Sequence, residues 1–467
     1  MMVKVMRLAF LAVIFMFSSA IFCQNINQEF SFEEYLGYVK KFHPLVKTSN
    51  LEISQAQANL MMARGAFDPK IEVDFDHKQF KGKDYYSLLN SSFKIPTWYG
   101  VEIKAGFDNN DGYYLNPEHF LPNSGLASFG IKIPLAQGLL INQRMADLQK
   151  AKIQLQLSKS LQKLEAINVL YDAAIAYFNW KKNYSELQLY KNYLVNAQTR
   201  FLGIETLILN GDKPRIDATE AGIIVKNREL SLEESLMKVN KSRLELSNFL
   251  WLDNNIPFEL QEQLVPEATL EKNITEVLKT NDLLQNNISI DNHPKINALQ
   301  NKIDMLSVDR GLKRNSLLPK IDVAYSYINE PNSFKSTDFN NYKLGVNFAL
   351  PLFLRKERAG LKIANFKIQE TQFVLETERL QLTNKIKSQQ FDINSIVKQQ
   401  RIITELVDNY NTMLASEERL FTFGESSIFL INSRENSLVT SQLALINVIN
   451  KYLVANADLY KTIVNID

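Results

Sequence analysis

One cysteine stands in 467 residues, Cys23, so no disulfide closes within the chain. Stability must come from packing or assembly. Histidine is nearly as scarce: His43, His77, His119 and His293 are the full set. None falls into a compact His/Cys/acid spacing that would hold a metal, and His43 and His293 each precede a proline, which points to structural roles. There is no glycine-rich nucleotide loop and no Ser-His-acid set. Asp68 and Asp322 fit wet strand faces better than a paired-carboxylate site. No cofactor is expected, and an enzyme has no supporting constellation. Surplus charge is missing too. The net charge is +2, and both extra cations, Lys4 and Arg7, lie in the first 23 residues, so the remainder is neutral. That balance argues against a nucleic-acid surface. Beyond the N-terminus no apolar run reads as a membrane-spanning helix. A β-barrel stays open, because its strands are short and alternating.

The N-terminus reads as a secretory signal over residues 1–23. Lys4 and Arg7 precede the apolar run Leu8–Phe17, and the small residues Ser18, Ser19 and Ala20 follow. Cleavage near Cys23–Gln24 would leave no cysteine in the mature chain; lipidation of Cys23 is the alternative, against which bulky Ile21 and Phe22 argue.

The element on which the rest is organised is a helical tract from Leu139 to Leu252. Leu161, Leu164, Ile167, Leu170, Ala174 and Tyr177 recur at three- and four-residue steps before a turn at Asn210–Pro214. Ile216, Ile223, Leu230, Leu244 and Leu250 follow it. That is helical periodicity with one buried stripe. An arm of roughly 70 residues spans on the order of 100 Å, so it needs partners along its length, as in a coiled-coil hairpin.

Around this tract the period changes. Residues 24–69 read as helix, interrupted at His43-Pro44. Ile71, Val73 and Phe75 then alternate with acids, and alternation recurs over Ser87–Ile95, Val101–Phe107 and Ala127–Ile133. Residues 70–135 are therefore strands, 136–252 the helical hairpin with its tip near Gly211, and 253–292 an irregular connection. The pattern then repeats. His293-Pro294 answers His43-Pro44, and Pro319-Lys320-Ile321 answers Pro69-Lys70-Ile71, both 250 residues on. Residues 293–319 read as helix, 320–351 as a strand hairpin, and 352–467 as a second long helical hairpin with its tip near Gly424. This is the sign of an internal duplication. Gly211 and Gly424 occupy equivalent turns, where glycine tolerates a left-handed backbone.

With Leu209-Asn210-Gly211-Asp212-Lys213-Pro214 at one tip and Phe421-Thr422-Phe423-Gly424-Glu425-Ser426 at the other, the chain resembles the outer membrane efflux protein family, the TolC-like channels. The resemblance covers essentially residues 30–465. It implies a mixed α/β membrane protein: an outer-membrane β-barrel continuous with a long α-helical coiled-coil periplasmic tunnel, internally duplicated and homotrimeric. It further implies a passive exit duct for efflux or secretion, gated at the periplasmic helical tips. The implied partners are a periplasmic adaptor protein, an inner-membrane transporter and outer membrane lipid. The candidate tip and gate residues are Gly211, Asp212, Asp217, Phe421, Phe423, Gly424, Glu425 and Phe429. Trp98 and Tyr99 are candidate membrane-interface aromatics. A specific outer-membrane porin or receptor, and a periplasmic coiled-coil structural protein, are the alternatives.

The chain departs from the family in two places. The Pro69–Pro134 interval is about twice the Pro319–Pro351 interval, so one repeat carries an extra alternating hairpin over 85–107. Barrel geometry has to match the tunnel, so the expectation is twelve strands per trimer with this hairpin outside or above the barrel; eighteen strands is the alternative. After Gly424 the chain also places Ser426, Leu430 and Ser433 where relatives often carry acids, so constriction is expected to rely partly on the aromatics.

Overall fold

The computed structural model describes residues 28–280, 290–331 and 340–464. The expected signal sequence and Cys23 lie outside the described residues, as do parts of the 253–292 connection and of the loop before Asn341. The chain divides into two compact units: a strand unit of residues 47–167 and 290–386, and a tip unit of residues 28–46, 168–280 and 387–464.

In the strand unit, alternation becomes sheet. Strands β2 (Lys70–Phe80), β3 (Lys83–Pro96), β4 (Glu102–Asp111), β5 (Leu126–Pro134), β7 (Lys320–Asn329) and β8 (Tyr342–Ala349) form one six-stranded sheet in the order β2-β3-β4-β5-β7-β8. Every neighbouring pair is antiparallel. Because side chains alternate along a strand, the register sorts them by face. One row runs Ile71, Phe93, Ala105, Phe129, Tyr327, Tyr342, and the next runs Ile95, Ile103, Ile131, Tyr325, Leu344. The opposite face carries Glu72, Ser92, Gly106 and Ser128 in register. The β2–β3 turn holds Lys81 and Gly82 at φ 51° and 73°, the left-handed pair that a two-residue hairpin requires.

The extra hairpin does not lie outside this sheet, as had been expected from the need to match strands to helices. Residues 85–107 are its second and third strands, paired along their length to β2 and β5. The reason lies in the connections. Helices attach only to β2, β5, β7 and β8, whereas β3 and β4 are joined by a short turn at Thr97–Gly100. There Asn142 Nδ2 donates to Trp98 O (2.9 Å), and a side chain on Gly100 (φ 75°) would meet Gly138 O at 2.7 Å. The sheet widens by two strands with no helix added.

Helices α2 (Pro44–Gly65), α3 (Gln143–Leu209), α6 (Pro294–Asn315) and α7 (Arg355–Thr422) supply the helical part of the strand unit, in whole or in part. The start of α3 is fixed by Asn142, whose Oδ1 accepts from Met145 N (2.9 Å). Local geometry recurs at an offset of 250. His43 Nδ1 accepts from Leu45 N (3.3 Å) and His293 Nδ1 from Lys295 N (3.1 Å). Phe67 N and Leu317 N donate to Arg64 O and Arg314 O, and Asp68 N and Leu318 N to Gly65 O and Asn315 O.

The tip unit contains α1 (Phe32–Phe42), the rest of α3 and α7, α4 (Arg215–Ser247), α5 (Leu270–Val277) and α8 (Ile428–Ile463). A parallel strand pair, β1 (Gln28–Phe30) with β6 (Leu264–Pro266), lies beside them. Its aromatic core packs Phe32, Tyr35, Tyr177, Phe178 and Trp180, all buried, with Phe32 and Tyr177 centroids 5.2 Å apart. The Tyr177 hydroxyl donates to Phe30 O (2.6 Å) and accepts from Glu267 N (3.0 Å), tying β1 and the segment after β6 to α3. Burial pushes this phenol well above its ordinary pKa. Lys181 Nζ donates to Glu267 O and Ala268 O at 2.7 and 2.8 Å.

The stripe read from sequence holds on the first arm except at exposed Leu161, and fails along α4, with Leu250 beyond that helix buried. Ile167, Leu170, Ala174 and Tyr177 are buried. On α4, however, Ile216, Ile223 and Leu230 are 68%, 57% and 61% exposed, and Leu244 is exposed too; the buried positions are Ala221, Arg228, Ser235, Ser242 and Leu246. Small side chains let α4 approach its neighbours within the chain, which leaves the apolar stripe uncovered. A second correction concerns apolar runs. Helix α8 is long and apolar enough to cross a membrane by length and composition, with mean hydropathy 1.3 over its best window; in the tip unit it packs through Leu438, Val439, Leu453, Ala457 and Leu459.

Candidate functional site

The two helical turns of the tip unit share one geometry. At the end of α3, Gly211 N donates to Ile208 O (3.0 Å) and Asp212 N to Leu207 O (2.9 Å). At the end of α7, Gly424 N donates to Phe421 O (3.0 Å) and Glu425 N to Leu420 O (3.0 Å). Each is a Schellman pair, with a three-residue bond nested in a five-residue bond around a left-handed residue. Gly211 and Gly424 supply that residue at φ 85° and 78°, and nothing lies within 4 Å of where a Cβ would stand. Glycine is needed here for its backbone and not for space. Both motifs place an exposed acid next, Asp212 and Glu425.

The return helices start differently. Pro214 precedes α4 without a side-chain cap, and Asp217 stands in its first turn, where a negative charge suits the helix dipole. Ser427 caps α8, its Oγ accepting from Leu430 N (3.3 Å). Ser426 Oγ donates to Glu417 Oε1 (2.5 Å), and Arg434 Nε lies 3.4 Å from the same carboxylate.

The aromatics separate into two roles. Phe421 is half-buried against Ile204, Ala221 and Ile428, with Lys213 Nζ 4.8 Å from its ring centroid. Phe423 and Phe429 are exposed. Phe429 lines an open groove of about 760 Å³ together with Glu220, Tyr410, Asn432 and Asn436. In the strand unit, Trp98 stacks on Phe67 at 5.7 Å, and Tyr99 beside it is exposed.

An ionic cluster that the sequence did not reveal lies further along the same helices. Glu435 on α8 is 1% exposed and is held by Arg200 of α3 (2.5 Å) and Arg228 of α4 (3.4 Å). Arg200 also reaches Glu418 of α7 (3.1 Å), and Arg228 donates to Asn436 Oδ1 (2.7 Å). Burial, with the charge of Glu435 adding to it, pushes the adjoining Tyr193 phenol up to about 12. The signal was present in the spacing: Arg228 falls in the seven-residue series Ala221, Arg228, Ser235, Ser242. A charged residue on a small-residue face is ambiguous until its partner helices are known.

These features contain fixed turns, exposed aromatics and packed ion pairs, and no nucleophile or general base is brought into line. Among the described residues no cluster of His, Cys, Asp and Glu could hold a metal. Paired long helices and an antiparallel sheet with one apolar face define the fold class of outer membrane channels. Solved structures share it. A membrane protein from Pseudomonas aeruginosa is 15% identical, with 92% of this chain and 91% of that one covered at a TM-score of 0.63. The CmeC outer membrane channel of Campylobacter jejuni is 14% identical, covering 94% and 85% at 0.62. The MtrE outer membrane channel of Neisseria gonorrhoeae is 12% identical, covering 92% and 88% at 0.64. No curated protein matches the chain in sequence. Residues 287–463 match the family model for outer membrane efflux proteins.

Proposed function

We propose that three copies of this chain form an outer membrane channel, the exit duct of a multicomponent efflux or secretion system. The observation that carries this reading is the six-stranded sheet: one face is apolar across all its strands, and both edge strands, β2 and β8, are exposed at every residue. In lipid an unpaired edge is untenable, so a sheet with an apolar outer face must close. Six antiparallel strands run β8 opposite to β2, so β2 of a second copy meets β8 antiparallel. Three copies give an eighteen-stranded barrel, with Trp98 and Tyr99 at one membrane interface.

Helix surfaces support the same assembly. In the tip unit the uncovered series Ile216, Ile223, Leu230, Met237, Leu244 steps by seven residues. In the strand unit, Phe366, Phe373 and Leu380 do the same. Heptad apolar stripes are what packing against another helix demands. The hydrogen bonds that recur at an offset of 250 support the internal duplication, with the domain boundaries as read from the sequence.

The chain acts as a conduit and not as an enzyme. The tips meet a periplasmic adaptor, which links them to an inner-membrane transporter. Gly211 and Gly424 set the turns, and Asp212, Asp217, Glu425, Phe423 and Phe429 form the gate, with Phe421 bracing it from behind. Single-particle imaging of the detergent-extracted protein tests the assembly: a threefold barrel of eighteen strands on a helical tunnel is expected, and a soluble monomer or an open sheet would refute it. For the gate, Asp217→Ala and Phe429→Ala should each raise small-ion conductance in planar bilayers; unchanged closed-state conductance in both counts against it.

A further inference from the structure

The polar face of the sheet contains a row with no acid in it. Lys70 stands opposite Lys94, Lys94 opposite Lys104, Lys104 opposite Gly130, Gly130 opposite Ser326, and Ser326 opposite Lys343. All six strands contribute, and four of the six positions are lysine. Like charges directly opposite one another destabilise a sheet, and two such pairs occur in succession here. Glu72 pairs with Lys94. Among the described residues Lys104 and Lys343 make no ion pair, and Asp108, four residues on along β4, is the acid that both of them feel. Glu102 and Lys132, one step away, are already engaged, with Arg144 (2.6 Å) and Asp322 (3.4 Å).

A recess of about 630 Å³ opens over this row. Its lining includes Lys94, Lys104, Lys132 and Lys343, with Ser128, Ser326 and, from the β4–β5 loop, His119; the acids Glu102, Asp108 and Glu118 line it too. Gly130 in the row carries no side chain because a Cβ there would collide with Tyr325 O and Ser326 Oγ. The arrangement therefore offers unpaired cations, hydroxyl donors and space for a solute.

We infer that this lysine row is a binding site for multivalent organic anions, solutes carrying two or more carboxylate or phosphate groups. The inference rests on the channel reading, because the polar face is the lumen face only if the sheet closes with its apolar face outward. In a trimer three such rows bring twelve ammonium groups to the lumen wall as a slanted, staggered ring, the three of Lys94 paired with Glu72. At physiological salt the Debye length is about 8 Å, so the ring acts on solutes at the wall, and polyvalent anions feel it most.

The probe is citrate, titrated calorimetrically into the detergent-extracted trimer at low salt. Wild type should bind, more weakly as salt rises. A Lys94→Gln, Lys104→Gln, Lys343→Gln triple variant should bind about tenfold more weakly or worse, and the same three positions changed to arginine should stay within about threefold of wild type. Should the glutamine triple variant fail to fold, Lys104→Gln alone should weaken binding about two- to threefold. Unchanged binding in the glutamine variants, or equal loss in the arginine variant, overturns the site. Failure of the channel reading shows separately, as the absence of a closed barrel by imaging.

Discussion

Replacing Glu435 by glutamine should destabilise the tip unit by several kilocalories, and the structure says why. The carboxylate is 1% exposed between two guanidinium groups whose side chains are themselves only 14% and 10% exposed. Removing its charge leaves Arg200 with Glu418 and leaves Arg228 with the neutral Asn436 and the Tyr193 ring 5.7 Å away. Breaking a buried pair by deleting one partner costs about 3–5 kcal/mol, because the remaining charge stays buried and unpaired. For a unit of this size, each kilocalorie lowers the melting temperature by about 2–4 °C. Glu435→Gln should therefore melt on the order of 10 °C lower, read by circular dichroism of the helices in detergent. Adding Arg228→Met should recover part of the loss, since the stranded cation is then gone and an apolar side chain fills its place. A shift within about 2 °C of wild type, or a double variant worse than the sum of its parts, would refute the claim that the cluster works through paired burial.

Other predictions follow from single geometries. Gly211→Ala and Gly424→Ala put a Cβ on left-handed residues and should each cost about 1–2 kcal/mol, while asparagine at either position should cost less; denaturant midpoints distinguish the two. Burial lowers the His43 pKa from its ordinary 6.5, so the folded chain binds fewer protons than the unfolded one. Its contribution is intact above about pH 6.5 and is lost as pH falls toward the folded pKa. His43→Asn, which keeps an acceptor for Leu45 N, should flatten the melting temperature between pH 5 and pH 7, about the range in which an ordinary histidine titrates. On the sheet, Val346→Arg on the apolar face should cost about 2–4 kcal/mol in lipid. Ser92→Arg on the polar face, opposite Glu72, should fold normally, and heat-modified mobility in gels compares the two.

Secondary structure was legible because local rules decide it. Ile71, Val73 and Phe75 alternate with acids and lie on one face of β2. The His-Pro steps at 43 and 293 open helices through the same histidine-to-backbone bond. What depended on distant neighbours was less legible. Ile216, Ile223 and Leu230 have helical spacing, but spacing cannot say whether a stripe faces the chain's own core or another copy. The pairing of β3 with β2 and of β4 with β5 was legible only as the alternative of eighteen strands, because alternation fixes faces and leaves neighbours open. At the tips, the glycine-acid steps at 211–212 and 424–425 could be read, and the Schellman bonds explain them. The Arg200–Glu435–Arg228 cluster could not, since its members are separated by 28 and 207 positions along the chain.

The extra hairpin shows how a sheet can change width while its helices stay the same in number. A strand added singly would reverse the direction of every later strand and put the next helix at the wrong end of the sheet. Adding β3 and β4 as a pair restores direction, and the even count also restores facing. Lys70, Lys94, Lys104 and Gly130 stay on one face while Ile71, Phe93, Ala105 and Phe129 stay on the other. The connection at the helix end need only be short, and Thr97 N donating to Val101 O (2.8 Å) closes it with a tight turn. A sheet widens by about 4.8 Å per strand before tilt, so in the proposed trimer two strands per copy would add about 29 Å of circumference. Sheet width is thus set by how many hairpins are inserted between β2 and β8, and helix number by how many strands are continued beyond the sheet. The two quantities are free to vary separately, which is why matching strand count to helix count misplaced residues 85–107.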